Sequence, residues 1–141
     1  MATRKEQTSY APSLALKNAL NSKGMNTDVM VDQVFYESNA NTQHLVISQQ
    51  GDDTYRVVTI VSGVSSFDFI SKTDPLLVRM LTRRELEIEI NNLNNIQESS
   101  WVLNGSIYTY TIIKDNVTYT ATDTKLVDAM CKCYKKVVDS L

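Results

Sequence analysis

The chain holds one histidine and two cysteines among its 141 residues, so side chains suited to nucleophilic, basic or soft-metal chemistry are few. A serine or cysteine nucleophile needs a base, and His44, at the start of an expected strand, is the one histidine that could serve. No Gly-x-Ser-x-Gly elbow frames a serine, and neither Cys131 nor Cys133 stands in a nucleophile context. Zinc would have to draw three ligands from this histidine, two cysteines and carboxylates. Cys131 and Cys133 lie two residues apart on an expected helix, which turns them roughly 200° from each other, so they neither share a metal nor bridge. One thiol is expected to pack as a small apolar group and the other to sit near the rim, as in a reducing compartment.

The acidic clusters have local explanations. Asp52-Asp53 falls in a hairpin turn, where Asp bonds its own backbone. Glu85, Glu87 and Glu89 read as a helix cap and a solvated face, although Glu85 and Glu89, four apart, would share a side and could face one cation. Four glycines are too few for a phosphate-cradling loop. The expectation is a non-enzymatic protein without cofactor or metal.

Charge and hydropathy narrow the partners. A net charge of -2 leaves little surplus to release counterions from nucleic acid, which makes nucleic acid an unlikely partner. Basic pairs stand at Arg4-Lys5 and Arg83-Arg84, while Lys132, Lys135 and Lys136 are interspersed with Asp128 and Asp139 as on a solvated helix face. No apolar run reaches the roughly 18 residues of a membrane span, and residues 1–10 lack the apolar stretch of a secretory signal. The chain is therefore expected in a host cytoplasm, or packaged from one. The sequons at Asn104 and Asn116 then read as turn and strand residues.

The elements that must position these groups follow from turn and cap signals. Residues 1–11 are polar and aperiodic, an extended arm, and 12–141 are expected to form a single domain. Pro12 opens a helix over 12–23 that Gly24 ends. A strand is expected over 29–36, then a loop over 37–42. Next comes a hairpin of 44–49 and 54–61 around Gly51, the second arm lying centrally in its sheet; a loop over 62–66 and a short strand over 67–70 follow. Asp74-Pro75 signals a short helix over 75–81, and Thr82-Arg83-Arg84-Glu85 a capping box for a second, from 83 to about 97. Glu85 to Ile90 also alternates with period two, a strand signal that the capping box outweighs. A hairpin of 106–114 and 117–122 turns at Asp115-Asn116 and feeds a helix, capped by Thr122 or Asp123, with its stripe at Leu126, Met130, Tyr134, Val137 and a packed Leu141.

These elements give an α+β fold: an antiparallel sheet of hairpins packed against helices on one face, with two hairpin–helix units plus an N-terminal helix. Tyr108 and Tyr110 share a strand face and could form a contact row, or cover the helix-facing core while Thr109, Thr111 and Thr118 face water. Together with Arg4, Lys5 and Tyr10 near the arm they are the expected assembly contacts. An arm without a core of its own is ordered only when something holds it, so it is expected to reach onto a neighbour and to be dispensable for folding.

The segment from Tyr119 through Asp123-Thr124 and Ala129 to Tyr134 resembles the strand-to-helix ending of small tailed-phage proteins of the ABA-sandwich type. That resemblance covers about 35 residues and implies a phage or prophage origin rather than a mechanism. The composition, rich in Asn, Thr, Ser and Tyr and poor in Gly and Pro, suits an AT-rich phage genome. The resulting expectation is a structural subunit of a virion, a head, neck or connector component that contacts other virion proteins or copies of itself. The alternative is a free phage-encoded inhibitor of a host protein.

Overall fold

The computed structural model describes residues 6–25, 35–39, 41–74 and 76–141. Their elements run α1 (Tyr10–Ser22), β1 (Phe35–Asn39), β2 (Thr42–Gln50), β3 (Thr54–Val61), β4 (Val64–Ser71), β5 (Val78–Met80), α2 (Arg83–Asn91), β6 (Ile96–Asn104), β7 (Ile107–Lys114), β8 (Val117–Asp123) and α3 (Leu126–Asp139). The fold is α+β with an N-terminal helix, and its strands divide between two antiparallel sheets. One has the order β4-β3-β2-β1-β5 and the other β6-β7-β8. No helix of the described residues is long and apolar enough to cross a membrane.

Local chemistry sets the turns. Gly51 takes φ 69° between β2 and β3, and the β7–β8 hairpin closes on Asp115 and Asn116 at φ 52° and 65°, a left-handed pair matched to strand twist. Ser62 and Gly63, at 51° and 80°, form another such pair. The expected loop over 62–66 therefore shrinks to two residues and β4 begins at Val64.

The main core lies where the three helices meet the inner face of the three-stranded sheet. Leu16 and Leu20 of α1, Leu86 and Ile90 of α2, and Met130, Tyr134 and Val137 of α3 pack with Tyr110, Ile112 and Ala121. The five-stranded sheet buries Tyr55, Val57, Val78 and Met80 outside that cluster. Leu141 is 47% exposed rather than packed, since α3 has already ended at Asp139. Lys125 stands at the N-cap of α3, two or three residues beyond the expected position; Asp123 instead accepts the Lys125 backbone N–H through its side chain at 3.1 Å.

Two stretches depart further from the sequence reading. No helix spans 76–81. Asp74 accepts the Leu76 N–H at 2.9 Å in a local turn, and Val78–Met80 then pair with β1 as a wholly buried strand. Pro75 lies outside the described residues. The capping box is present, with Glu85 N–H donating to Thr82 Oγ1 and Thr82 N–H to Glu85 Oε1 at 3.3 and 3.1 Å. Its helix stops at Asn91, however, and residues 96–104 form β6. Of the strand expected over 29–36, residues 29–34 lie outside the described residues, and β1 continues to Asn39 where a loop was expected.

The described end of the arm is tied to its own chain. Gln7 bridges Thr82, Thr8 N–H donates to the Leu81 carbonyl and Leu81 N–H to Thr8 Oγ1, each at 2.9 Å. Ser9 gives both its N–H and its hydroxyl to the Asp128 carboxylate of α3, at 2.7 and 2.6 Å. Gln7 and Thr8 are buried. Residues 7–9 therefore belong to the folded body rather than to an extended arm, and Tyr10 and Ala11 already lie in α1. Buried backbone donors need partners, and these are supplied from within the chain.

Candidate interaction surface

The β6–β7 hairpin extends beyond the helices that cover its root. Cross-strand pairing places Trp101 opposite Tyr110 and Leu103 opposite Tyr108, so these four share the inner face, while Val102 opposite Thr109 lies on the outer one. At the root that face is closed: Tyr110 is 3% exposed and Ile112 fully buried. Toward the tip it opens. Trp101, Val102, Leu103 and Ile107 are 41–64% exposed, so the hairpin end presents apolar side chains on both faces. Consecutive exposed apolar residues on a strand mean that neither face is covered.

Charges frame this end. Trp101 and Tyr108 pack as a tilted pair, 5.6 Å between ring centroids, and the Arg83 guanidinium stands 5.7 Å from the Trp101 ring, held from behind by Glu87 at 2.9 Å. A cation over an indole face is attracted by the ring quadrupole. Beside the rings opens a cleft of about 920 Å³ that the starts of α2 and α3 line with Arg83, Arg84, Glu87 and Lys125. Lys125 Nζ is engaged by the Gln7 carbonyl. The lining mixes both signs of charge with the Trp101 and Tyr108 rings.

The expected contact residues fare unequally. Arg4 and Lys5 lie outside the described residues. Tyr10 begins α1, half-buried. Tyr108 is half-buried against Trp101 and belongs to the surface. Tyr110 does not: its ring is in the core, its hydroxyl meets Ser99, and burial pushes its pKa up. The tyrosine row is thus split, because the hairpin leaves the shelter of the helices between the two. Thr118, on the opposite face, is exposed, whereas Thr109 and Thr111 are half-buried. Trp101, Val102 and Leu103 were not foreseen as contacts; three apolar residues just before Asn104-Gly105 were the available signal.

The groups weighed for chemistry are held structurally. His44 is 7% exposed, with Thr59 Oγ1 at 2.9 Å from Nδ1 and Ser38 Oγ at 3.3 Å from Nε2. Burial lowers its pKa, with Asp68 and Asp74 opposing. Both thiols are fully buried, so the packing expected of one of them holds for Cys131 and Cys133 alike and neither sits at the rim: α3 is sandwiched between α1 and the sheet. Burial raises Cys131 to about 12 and Cys133 to about 11. Glu85, expected at a cap with a solvated face, is fully buried and paired with Arg79 of β5. Among the described residues no group of three or more His, Cys, Asp or Glu side chains could hold a metal ion.

Compared with known proteins, the chain matches no family model, no curated protein and no solved structure.

Proposed function

We propose that the chain works by protein–protein contact, as a small structural subunit of a phage virion that presents the β6–β7 hairpin end to another virion protein. The observation that carries the contact reading is the exposure of Trp101, Val102, Leu103 and Ile107 beside the Arg83-capped aromatic pair. Trp, Tyr and Arg dominate the energetics of protein interfaces, the aromatic rings because they bury large area at low entropic cost and Arg because its planar fork both stacks and donates. The virion part rests on the tailed-phage resemblance of residues 119–134. Repetition around a symmetric particle would add many such contacts through multivalency.

The test is the protein content of purified particles from the phage that encodes the chain. The wild-type chain is expected at fixed copy number, and Val102→Asp is expected to remove it while leaving its circular dichroism unchanged, since Val102 is 64% exposed. A chain absent from particles but bound to one host protein at defined stoichiometry overturns the subunit reading in favour of a free inhibitor. Val102→Asp chains incorporated at the wild-type level overturn the hairpin as the contact.

A further inference from the structure

The second exposed apolar surface lies on the other sheet, and its geometry points to a different occupant. β4 is an edge of the five-stranded sheet, with β3 as its one neighbour among the described strands. Natural edges are blunted by bulges, prolines or lysines. β4, with the sequence VSSFDFIS, carries none of these, and its register with β3 runs unbroken from Val64 to Ser71. Phe67 and Phe69 are 72% and 62% exposed.

The two-residue turn at Ser62-Gly63 fixes which backbone groups face outward. Such a turn closes on a hydrogen-bonded pair, here Val61 and Val64, and the pairs alternate from there. Ser65, Phe67 and Phe69 therefore direct their N–H and C=O groups to the free edge. The Phe69 N–H fits this, being taken up by its neighbour's carboxylate, Asp68 Oδ1, at 2.8 Å, a local bond that strand pairing exchanges for one to the second copy.

We infer that β4 pairs antiparallel with β4 of a second copy, about a two-fold axis at Phe67, joining two five-stranded sheets into one of ten strands. A two-fold axis perpendicular to the sheet keeps each face continuous, so odd-numbered residues meet odd ones. The axis must then pass through a residue. At Asp68 it would set carboxylate against carboxylate, which is destabilising. At Phe67 the segment is self-complementary: Phe67 meets Phe67, Phe69 meets the small Ser65, the Asp68 acceptor meets the Ser66 donor, and Ile70 meets Val64. Each Phe67 ring also gains the second copy's Phe69 as a diagonal neighbour. At about 200 Å² per phenylalanine, Phe67 and Phe69, 72% and 62% exposed, have at most about 270 Å² per copy left to bury, so the dimer sits at the small, weak end of protein interfaces. The contact is isologous and closes as a dimer. It uses a different sheet from the hairpin surface, so either proposal stands if the other fails.

Light scattering across a concentration series tests it. The expected result is a rise from the 15.9 kDa chain mass to twice that value, abolished by Phe67→Lys, with the circular dichroism and melting of the monomer unchanged. The register is read by disulfide formation: Ser66→Cys chains mixed with Asp68→Cys chains cross-link, and neither does so alone. Cys131 and Cys133 are buried and do not compete. A chain that stays monomeric at every concentration, a dimer that survives Phe67→Lys, or Ser66→Cys chains that cross-link by themselves would each overturn the proposal.

Discussion

Arg79 of β5 and Glu85 of α2 form an ion pair in the interior, 8% and 0% exposed, and thereby join the five-stranded sheet to the helical layer. The Glu85 carboxylate also closes the capping box through Thr82. One side chain thus starts a helix and anchors a sheet. Burying two charges costs desolvation that their attraction and hydrogen bonds must offset, so the pair is better described as fixing an arrangement than as a large net source of stability.

Removing one partner is expected to cost more than removing both. Glu85→Gln keeps a side chain able to reach the Thr82 N–H but strands the Arg79 charge, and should lower unfolding stability by about 3–5 kcal/mol. Adding Arg79→Met should restore much of that loss. Urea denaturation of the two single variants and the double one checks this; equal, additive losses would refute the coupling.

The Asp128 carboxylate, 5% exposed, accepts two bonds from Ser9. Asp128→Ala leaves the Ser9 N–H without its partner and should cost about 2 kcal/mol. Limited proteolysis should then cut more readily near residues 6–9. The comparison with a chain lacking residues 1–9 decides whether the clamp or the segment matters: similar losses point to the clamp.

The one histidine offers a clean pH signal. Because burial holds the folded His44 below its ordinary 6.5, the unfolded chain binds the proton more readily. Stability is therefore full above about pH 6.5 and is lost as the pH falls from there through the folded-state pKa. His44→Gln should flatten this step between about pH 7 and 5, measured as unfolding free energy against pH. A step that persists in the variant would assign it to other groups.

Cys131 and Cys133 should be silent in the native state. With pKa values pushed up to about 12 and 11 and no exposed surface, both remain thiols at neutral pH. A chromogenic disulfide reagent at about pH 8 should label them at the rate of unfolding rather than of bimolecular attack, because the thiolate is the nucleophile. Added urea should speed the labelling by the same factor as it speeds unfolding.

Features that depend on a few neighbouring residues were legible in the sequence. The Thr82–Glu85 box prevailed over the period-two pattern of Glu85 to Ile90, because helix caps are short-range hydrogen bonds. The turns at Gly51 and at Asp115-Asn116 follow from residues that tolerate positive φ. The stripe of α3 and the two hairpins followed from periodicity, and so did Tyr108 on a strand face. What the tertiary structure decided depends on partners far away in the chain. Val78–Met80 is a strand because β1 lies beside it, and the segment 96–104 is a strand because β7 supplies its ladder. Glu85 and Asp128 are buried because Arg79 and Ser9 arrive from other elements to satisfy them. The same reasoning divides the candidate surface: Tyr108 and Tyr110 are equivalent by alternation, and only the point at which α2 and α3 cease to cover the hairpin makes one a core residue and leaves the other beside an exposed Trp101.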